Sequence, residues 1–198
     1  LDQSNKTKDK LEYLKNYFLD APDSDKIWTL ALFAHRRPKR TVQTSQLRQW
    51  CQELAQIPAW LFDECYHTVG DLAETIALLL PPARQHSSKS LTEWIELLKS
   101  ISDMPEEDRK ELIFKAWSML SKDERFVFTK LITGGFRVGV SQNLVTQAIA
   151  DAYQMEKSEV THRIMGNWDP SETSFSTLIL SRNQADDLSR PYPFCLAH

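Results

Sequence analysis

A chain of 198 residues with 41% hydrophobic and 26% charged side chains can fill one large or two small cores, and it is too balanced for a disordered or fibrous protein. Its formal net charge of -3 argues against a uniformly basic nucleic-acid binder, so any anion-binding function has to come from segregated charge. No apolar run reaches the roughly 18 residues of a membrane span, the polar start "LDQSNKTKDK" is no signal peptide, and three widely spaced cysteines (Cys51, Cys65, Cys195) give neither a disulfide framework nor a zinc pattern and suit a reducing cytoplasm.

In chain order, the first distinctive stretch is "HRRPKR". From His35 to Gln52 there is no acidic residue, while Arg36, Arg37, Lys39, Arg40 and Arg48 are basic. Pro38 disfavours helix for Arg37, so the cluster is a loop, either a solvated surface or a phosphate-binding patch. A helix follows over "TSQLRQWCQELAQI", with Leu47, Trp50, Cys51 and Leu54 on one stripe. Gly70 stands where a helix would stop, and Asp71 with Glu74 starts the next. Ser90 with Glu93 is a capping box ahead of a stripe of Leu91, Trp94, Ile95 and Leu98. Pro105 occupies a first helical position, and the acids of "PEEDRKE" suit a solvated first turn better than a metal site. The next helix carries Ile113, Ala116, Trp117 and Leu120, and Ser121 with Glu124 caps the one after. "SQNLVTQAIADAY" places Leu144, Val145, Ala148, Ile149 and Ala152 on one face. Gly166 reads as a stop and Pro170 as a start. "SRNQADDLSR" reads as a linker, and "PYPFCLAH" as extended chain. The pattern predicts ten or eleven helices and no strand before the last eight residues. The expected architecture is one all-α, multi-helix domain over residues 1–180, with linker and the start of another domain over 181–198.

Between two of these helices lies "TGGFRVGVSQ", which holds three of the chain's five glycines. Gly134 and Gly135 suit an ordinary turn between helices. Gly139 falls beside the next helix start, where a glycine lets backbone approach a ligand. "RTVQTSQL" (Arg40 to Leu47) and "RVGVSQNL" (Arg137 to Leu144) also resemble each other. Each has an Arg, a Ser at +4 or +5, a Gln just after it and a Leu at +7. Both read as a cationic turn feeding a Ser/Thr-capped helix N-terminus, a natural phosphate site. The segment is no nucleotide P-loop, because the Lys-Ser/Thr ending and the preceding strand are missing.

"TGGFRVGVSQNLVTQAIADAY", "VGDLAETIALLL" and the opening "LDQSNKTKDKLEYLKNYF" resemble the N-terminal DNA-binding domain of ATP-dependent DNA ligases. "RRPKR" with "LRQWCQELAQIPAWLFDECYHTVGDLAETIALLLP" is similar in particular to a bacterial subgroup, and the likeness spans nearly all of residues 1–190. It implies a helical domain with internal pseudo-symmetry that lies in the minor groove on both sides of a nick. Together with the charge reading, it assigns DNA binding to Arg36, Arg37, Lys39, Arg40, Thr44 and Ser45 at one loop. A second loop contributes Gly70 and Asp71. The glycine segment contributes Gly134, Gly135, Phe136, Arg137, Val138, Gly139, Ser141 and Gln142. No lysine here begins the Lys-x-Asp-Gly motif on which such ligases form their adenylate. The chain is therefore expected to be inactive alone and to need no cofactor itself. ATP and Mg²⁺ would serve catalytic domains of the same polypeptide, and a cytoplasmic monomer holding nicked duplex is expected. The competing readings are a protein-interaction module without DNA affinity and an enzyme using the glycine loop on a nucleotide.

Overall fold

The computed structural model describes residues 6–36, 38–83, 86–134 and 139–181. Among the described residues there are ten α-helices, one π-helical turn and no strand, so the chain is all-α. In order these are α1 (Thr7–Asp20), α2 (Asp23–Phe33), α3 (Thr44–Ala55), α4 (Ala59–Val69) and α5 (Leu72–Leu79), then α6 (Leu91–Ser100), α7 (Glu106–Met119), α8 (Lys122–Thr133), α9 (Gln142–Tyr153) and α10 (Lys157–Met165). The π turn is Ser176–Leu180. The expected extended segment at 182–198 lies outside the described residues.

Two compact units form. One draws its described residues from Leu1–Arg36 and Arg137–His198, the other from Arg37–Phe136. The first holds α1, α2, α9, α10 and the π turn; the second holds α3 to α8.

In the first unit α1 packs on α9. Phe18 is fully buried and stacks on Phe175 with ring centroids 5.6 Å apart. Burial of such a side chain contributes about 1.5–3 kcal/mol. Lys26 donates to the Tyr153 hydroxyl at 3.2 Å, and that hydroxyl donates to the carbonyl of Phe18. Asp23 accepts from the backbone N–H of Ser176 at 3.0 Å, tying the start of α2 to the π turn. Arg163, also buried, donates to the carbonyl of Ile179 at 3.0 Å and to Glu159 at 2.8 Å.

In the second unit Leu47, Trp50 and Cys51 of α3 meet a core that includes Phe62, Ile76, Ile95, Ile113 and Trp117. Arg125 is 2% exposed, and its hydrogen bonds run to backbone carbonyls. Its guanidinium donates to the carbonyls of Trp117 and Leu120 at the end of α7 and of Leu80 and Pro81 after α5. These helix ends present orphan carbonyls and the negative pole of the macrodipole, which is what a buried cation needs. Burial pushes the Cys51 thiol up to about 12, against the pull of Arg125, so this cysteine is inert core.

Local signals read from sequence are met at three caps. Ser90 with Glu93 and Ser121 with Glu124 form reciprocal capping boxes, and Asp71 accepts from the N–H of Glu74 at 3.0 Å. Two prolines differ. Pro105 is the N-cap of α7 rather than its first residue, and Pro170 lies in a turn. Gly166 ends α10 at φ −61, a conformation open to any residue.

The helices repeat. α1 and α7 are both 14 residues long, and α3 and α9 both 12. N-caps Gln43 and Ser141 differ by 98 in number, as do the left-handed C-caps Gln56 and Gln154. At the same offset Leu47, Trp50, Cys51 and Phe62 match Val145, Ala148, Ile149 and Val160, all buried. Upstream the offset is 99: Leu14 and Phe18 match Ile113 and Trp117, and left-handed His35 matches left-handed Gly134. The sequence pairing of Leu47 with Leu144 is thus one residue out of register. Leu144 is only half-buried, because the helix cap, not the preceding Arg, sets which position faces the core. Each compact unit combines the first two helices of one copy with the last two of the other.

Candidate nucleic-acid interface

In the second unit, residues 38–43 lead into α3. Lys39 and Arg40 are exposed. Arg40 donates through Nη2 to the carbonyl of Thr133 at 3.0 Å, the last residue of α8. The next residue, Gly134, closes α8 in the left-handed region at φ 72, with its N–H on the carbonyl of Lys130. The basic loop and the first glycine of "TGG", 94 residues apart, therefore come together. Arg109 of α7 donates through Nη1 to the carbonyl of Thr41 at 2.9 Å, its Nε buried without a hydrogen-bond partner. The cap of α3 is Gln43, whose N–H donates to the Gln46 side chain at 3.1 Å. Thr44 and Ser45, expected as caps, are instead its first two helical residues, both exposed. Their backbone N–H groups belong to the unpaired first turn.

The Gly70–Asp71 corner joins the same region. Gly70 closes α4 at φ 77 with open space where a Cβ would stand, so the backbone angle alone requires glycine. Asp71 caps α5 with one carboxylate oxygen and receives buried Lys130 on the other. Burial opposes its charged form, but the Lys130 hydrogen bond, the backbone N–H groups of Glu74 and Ala73 and the Lys130 charge together hold the carboxyl below its ordinary value. Asp71 thus cancels a cation and fixes the end of α8.

In the first unit, residues 139–141 lead into α9. Gly139 sits at φ 62, and a Cβ there would meet Lys10 Nζ at 2.9 Å. That ammonium donates to the Gly139 carbonyl at 2.9 Å. Ser141 caps α9 by accepting from the N–H of Leu144 at 3.3 Å, and Gln142 is its exposed first residue. Arg36 is committed elsewhere. Its guanidinium lies 4.6 Å from the Trp168 ring and donates to the carbonyls of Trp168 (2.7 Å) and Gly166 (2.6 Å). Arg37, Gly135, Phe136, Arg137 and Val138 lie outside the described residues.

The two helix starts share an electrostatic feature. Of the ten described helices, only α3, α4 and α9 lack an acid in the first turn, so their positive poles have no local compensation. Residues 35–52 and 125–150, which carry α3 and α9, contain no acidic residue at all. By contrast, an open groove of about 280 Å³ beside α4 and α5, lined in part by Cys65, Val69, Leu78 and Leu79, lies in a stretch from Gln49 to Ala83 with no Lys or Arg. It offers a phosphate nothing.

Lys10 and Arg109 were missed by sequence reasoning. Each lies 129 or 68 residues from the carbonyl it holds, and only the repeat alignment could have paired them. Among the described residues no acidic, His or Cys cluster fits a metal ion, and no helix is long and apolar enough to cross a membrane. A comparison with curated proteins gives no match. The family model for the DNA ligase N terminus matches residues 1–150, a span that includes both helix starts, and the chain belongs to that family.

Proposed function

We propose that the chain binds nicked double-stranded DNA without sequence preference, as the DNA-binding domain of an ATP-dependent ligase. The observation that carries this reading is the duplicated pair of acid-free helix starts, α3 and α9, each with exposed polar or cationic residues beside unpaired N–H groups. Phosphate oxygens are the complementary partner, and they hold no base identity. Contact along the minor-groove backbone follows from the family resemblance. The adenylylation chemistry, with its ATP and Mg²⁺, is assigned to catalytic domains of the same polypeptide. The proposed setting is the bacterial cytoplasm, with the chain a monomer on the chromosome.

Fluorescence anisotropy with nicked duplex tests this. With about five phosphates neutralised, log K should fall against log salt with a slope of roughly -4 to -5. Two duplexes of unrelated sequence should bind alike. Strong preference for one sequence, or no binding, refutes the reading. With ATP and Mg²⁺, the chain should form no covalent adenylate; labelled AMP on any of its lysines overturns the division of labour.

A further inference from the structure

We infer that Lys10 and Arg109 are equivalent positioning residues, one in each copy of the repeat, that latch the loop before α9 and the loop before α3 in the form that receives a phosphate. This rests on the DNA reading above. The two residues hold the same place in the repeat: each is the fourth residue of its 14-residue helix, α1 or α7. Their acceptors also correspond. Gly139 lies two residues before the N-cap Ser141, and Thr41 two before the N-cap Gln43. The two hydrogen bonds have the same length, 2.9 Å. Each bond lies within its own compact unit. One geometry is therefore built twice from different residues, lysine to a glycine carbonyl and arginine to a threonine carbonyl.

The chemistry gives the latch a purpose. A carbonyl oxygen near a helix N-terminus carries partial negative charge and competes with an arriving anion for the N–H groups. A cation on that oxygen masks it and fixes the loop, so the first-turn N–H groups stay free. Arg109 is half-buried and uses Nη1 on the loop, which suits an internal strut. Lys10 is bonded to Gly139, whose left-handed φ of 62 the loop needs in order to present that carbonyl.

The test uses the whole chain with Lys10→Met and Arg109→Met, which keep most of the apolar stem, and the exchanges Lys10→Arg and Arg109→Lys. Each Met variant should weaken nicked-duplex binding about five-fold, the scale of one net hydrogen bond. The salt slope should stay as in the wild type, because no phosphate contact is lost. Each exchange variant should restore binding. Amide hydrogen exchange at the hydrogen-bonded N–H groups that close these helix starts, Leu144 and Val145 in α9 or Leu47 in α3, should quicken in the matching Met variant, with or without DNA. Wild-type affinity in both Met variants, or unchanged exchange, overturns the latch. A slope reduced by about one unit per variant also overturns it, since the cations would then be phosphate ligands. If Arg109→Met does not fold, Arg109→Lys and the Lys10 pair decide. If the wild type binds no DNA, the functional reading fails, and hydrogen exchange alone still judges the latch.

Discussion

The loop before α3 and the loop before α9 are each held by a cation on a backbone carbonyl, with different residues. The first has no glycine and no left-handed residue among its described positions 38–43; it begins after His35, held at φ 59, and ends on a Gln cap. The second follows left-handed Gly134, includes left-handed Gly139 and ends on a Ser cap. Both are latched through the carbonyl two residues before the cap. What recurs is the backbone path, the cap-to-core spacing and a cation on a carbonyl. Residue identity recurs at few places, Gln56 and Gln154 among them.

The largest effects should come at the positions that set the register of the repeat. Leu47→Ala and Ile149→Ala remove fully buried side chains and should each destabilise by about 2–5 kcal/mol. Leu144→Ala, at a half-buried position, should cost distinctly less, under about 1.5 kcal/mol. Chemical denaturation of the three variants decides it. A Leu144 variant as unstable as the Leu47 one would restore the Arg40–Arg137 alignment and refute the offset of 98.

At the offset of 98 Asp71 falls on Asp169, whose carboxylate accepts from the N–H of Ser171 at 2.7 Å, so what Asp71 probes in the second unit is its pairing with buried Lys130. Asp71→Asn keeps a capping oxygen but leaves Lys130 buried beside a neutral partner. With Asp71 itself about a third exposed, the loss should be about 1–2 kcal/mol. Because the folded carboxyl titrates below its unfolded value, its stabilisation is complete above about pH 4 and is lost as pH falls through the lower, folded value. Melting temperature against pH should therefore be flatter below pH 4 in the variant. Parallel acid limbs in the two proteins would remove Asp71 from the account.

The left-handed positions test the shared backbone path. Gly139→Ala and Gly134→Ala place a side chain in the left-handed region and should cost about 1–2 kcal/mol each. His35→Gly reverses the sense at the equivalent of Gly134 and should stabilise by up to about 1 kcal/mol. Thermal melts check all three. For Gly139→Val, binding of the folded fraction is the more telling readout. Normal binding would assign Gly139 to loop packing against Lys10 alone.

Helices were legible where a stripe and a cap coincided, as in α6 and α9, because both signals are local. The register of the repeat was not. Arg and Leu were the visible landmarks, but the cap that sets burial is Gln43 in one copy and Ser141 in the other, and a Gln cap is a weak signal. The candidate site was half legible. Exposed Lys39 and Arg40, and the glycines at 70, 134 and 139, stand at the loops the sequence singled out. Arg36 looked like its neighbours in "HRRPKR", yet Trp168, 132 residues away, takes it. Asp71 looked like part of the site and instead neutralises Lys130. Such pairings depend on tertiary contact, which no local pattern encodes.

If the acid-free starts of α3 and α9 hold a DNA backbone, as proposed, the exposed cations beside α3 must carry part of the salt dependence of binding. Salt dependence of nicked-duplex binding should be measured for the wild type and for the double variant Lys39→Gln/Arg40→Gln, which gives up the exposed Arg40 hydrogen bond to the Thr133 carbonyl. The wild-type slope should lie near -4 to -5 and should fall in magnitude by about two units in the variant, with melting lowered only by the scale of one exposed hydrogen bond. A wild-type slope near zero, or identical slopes for the two proteins, would contradict the proposed DNA contact.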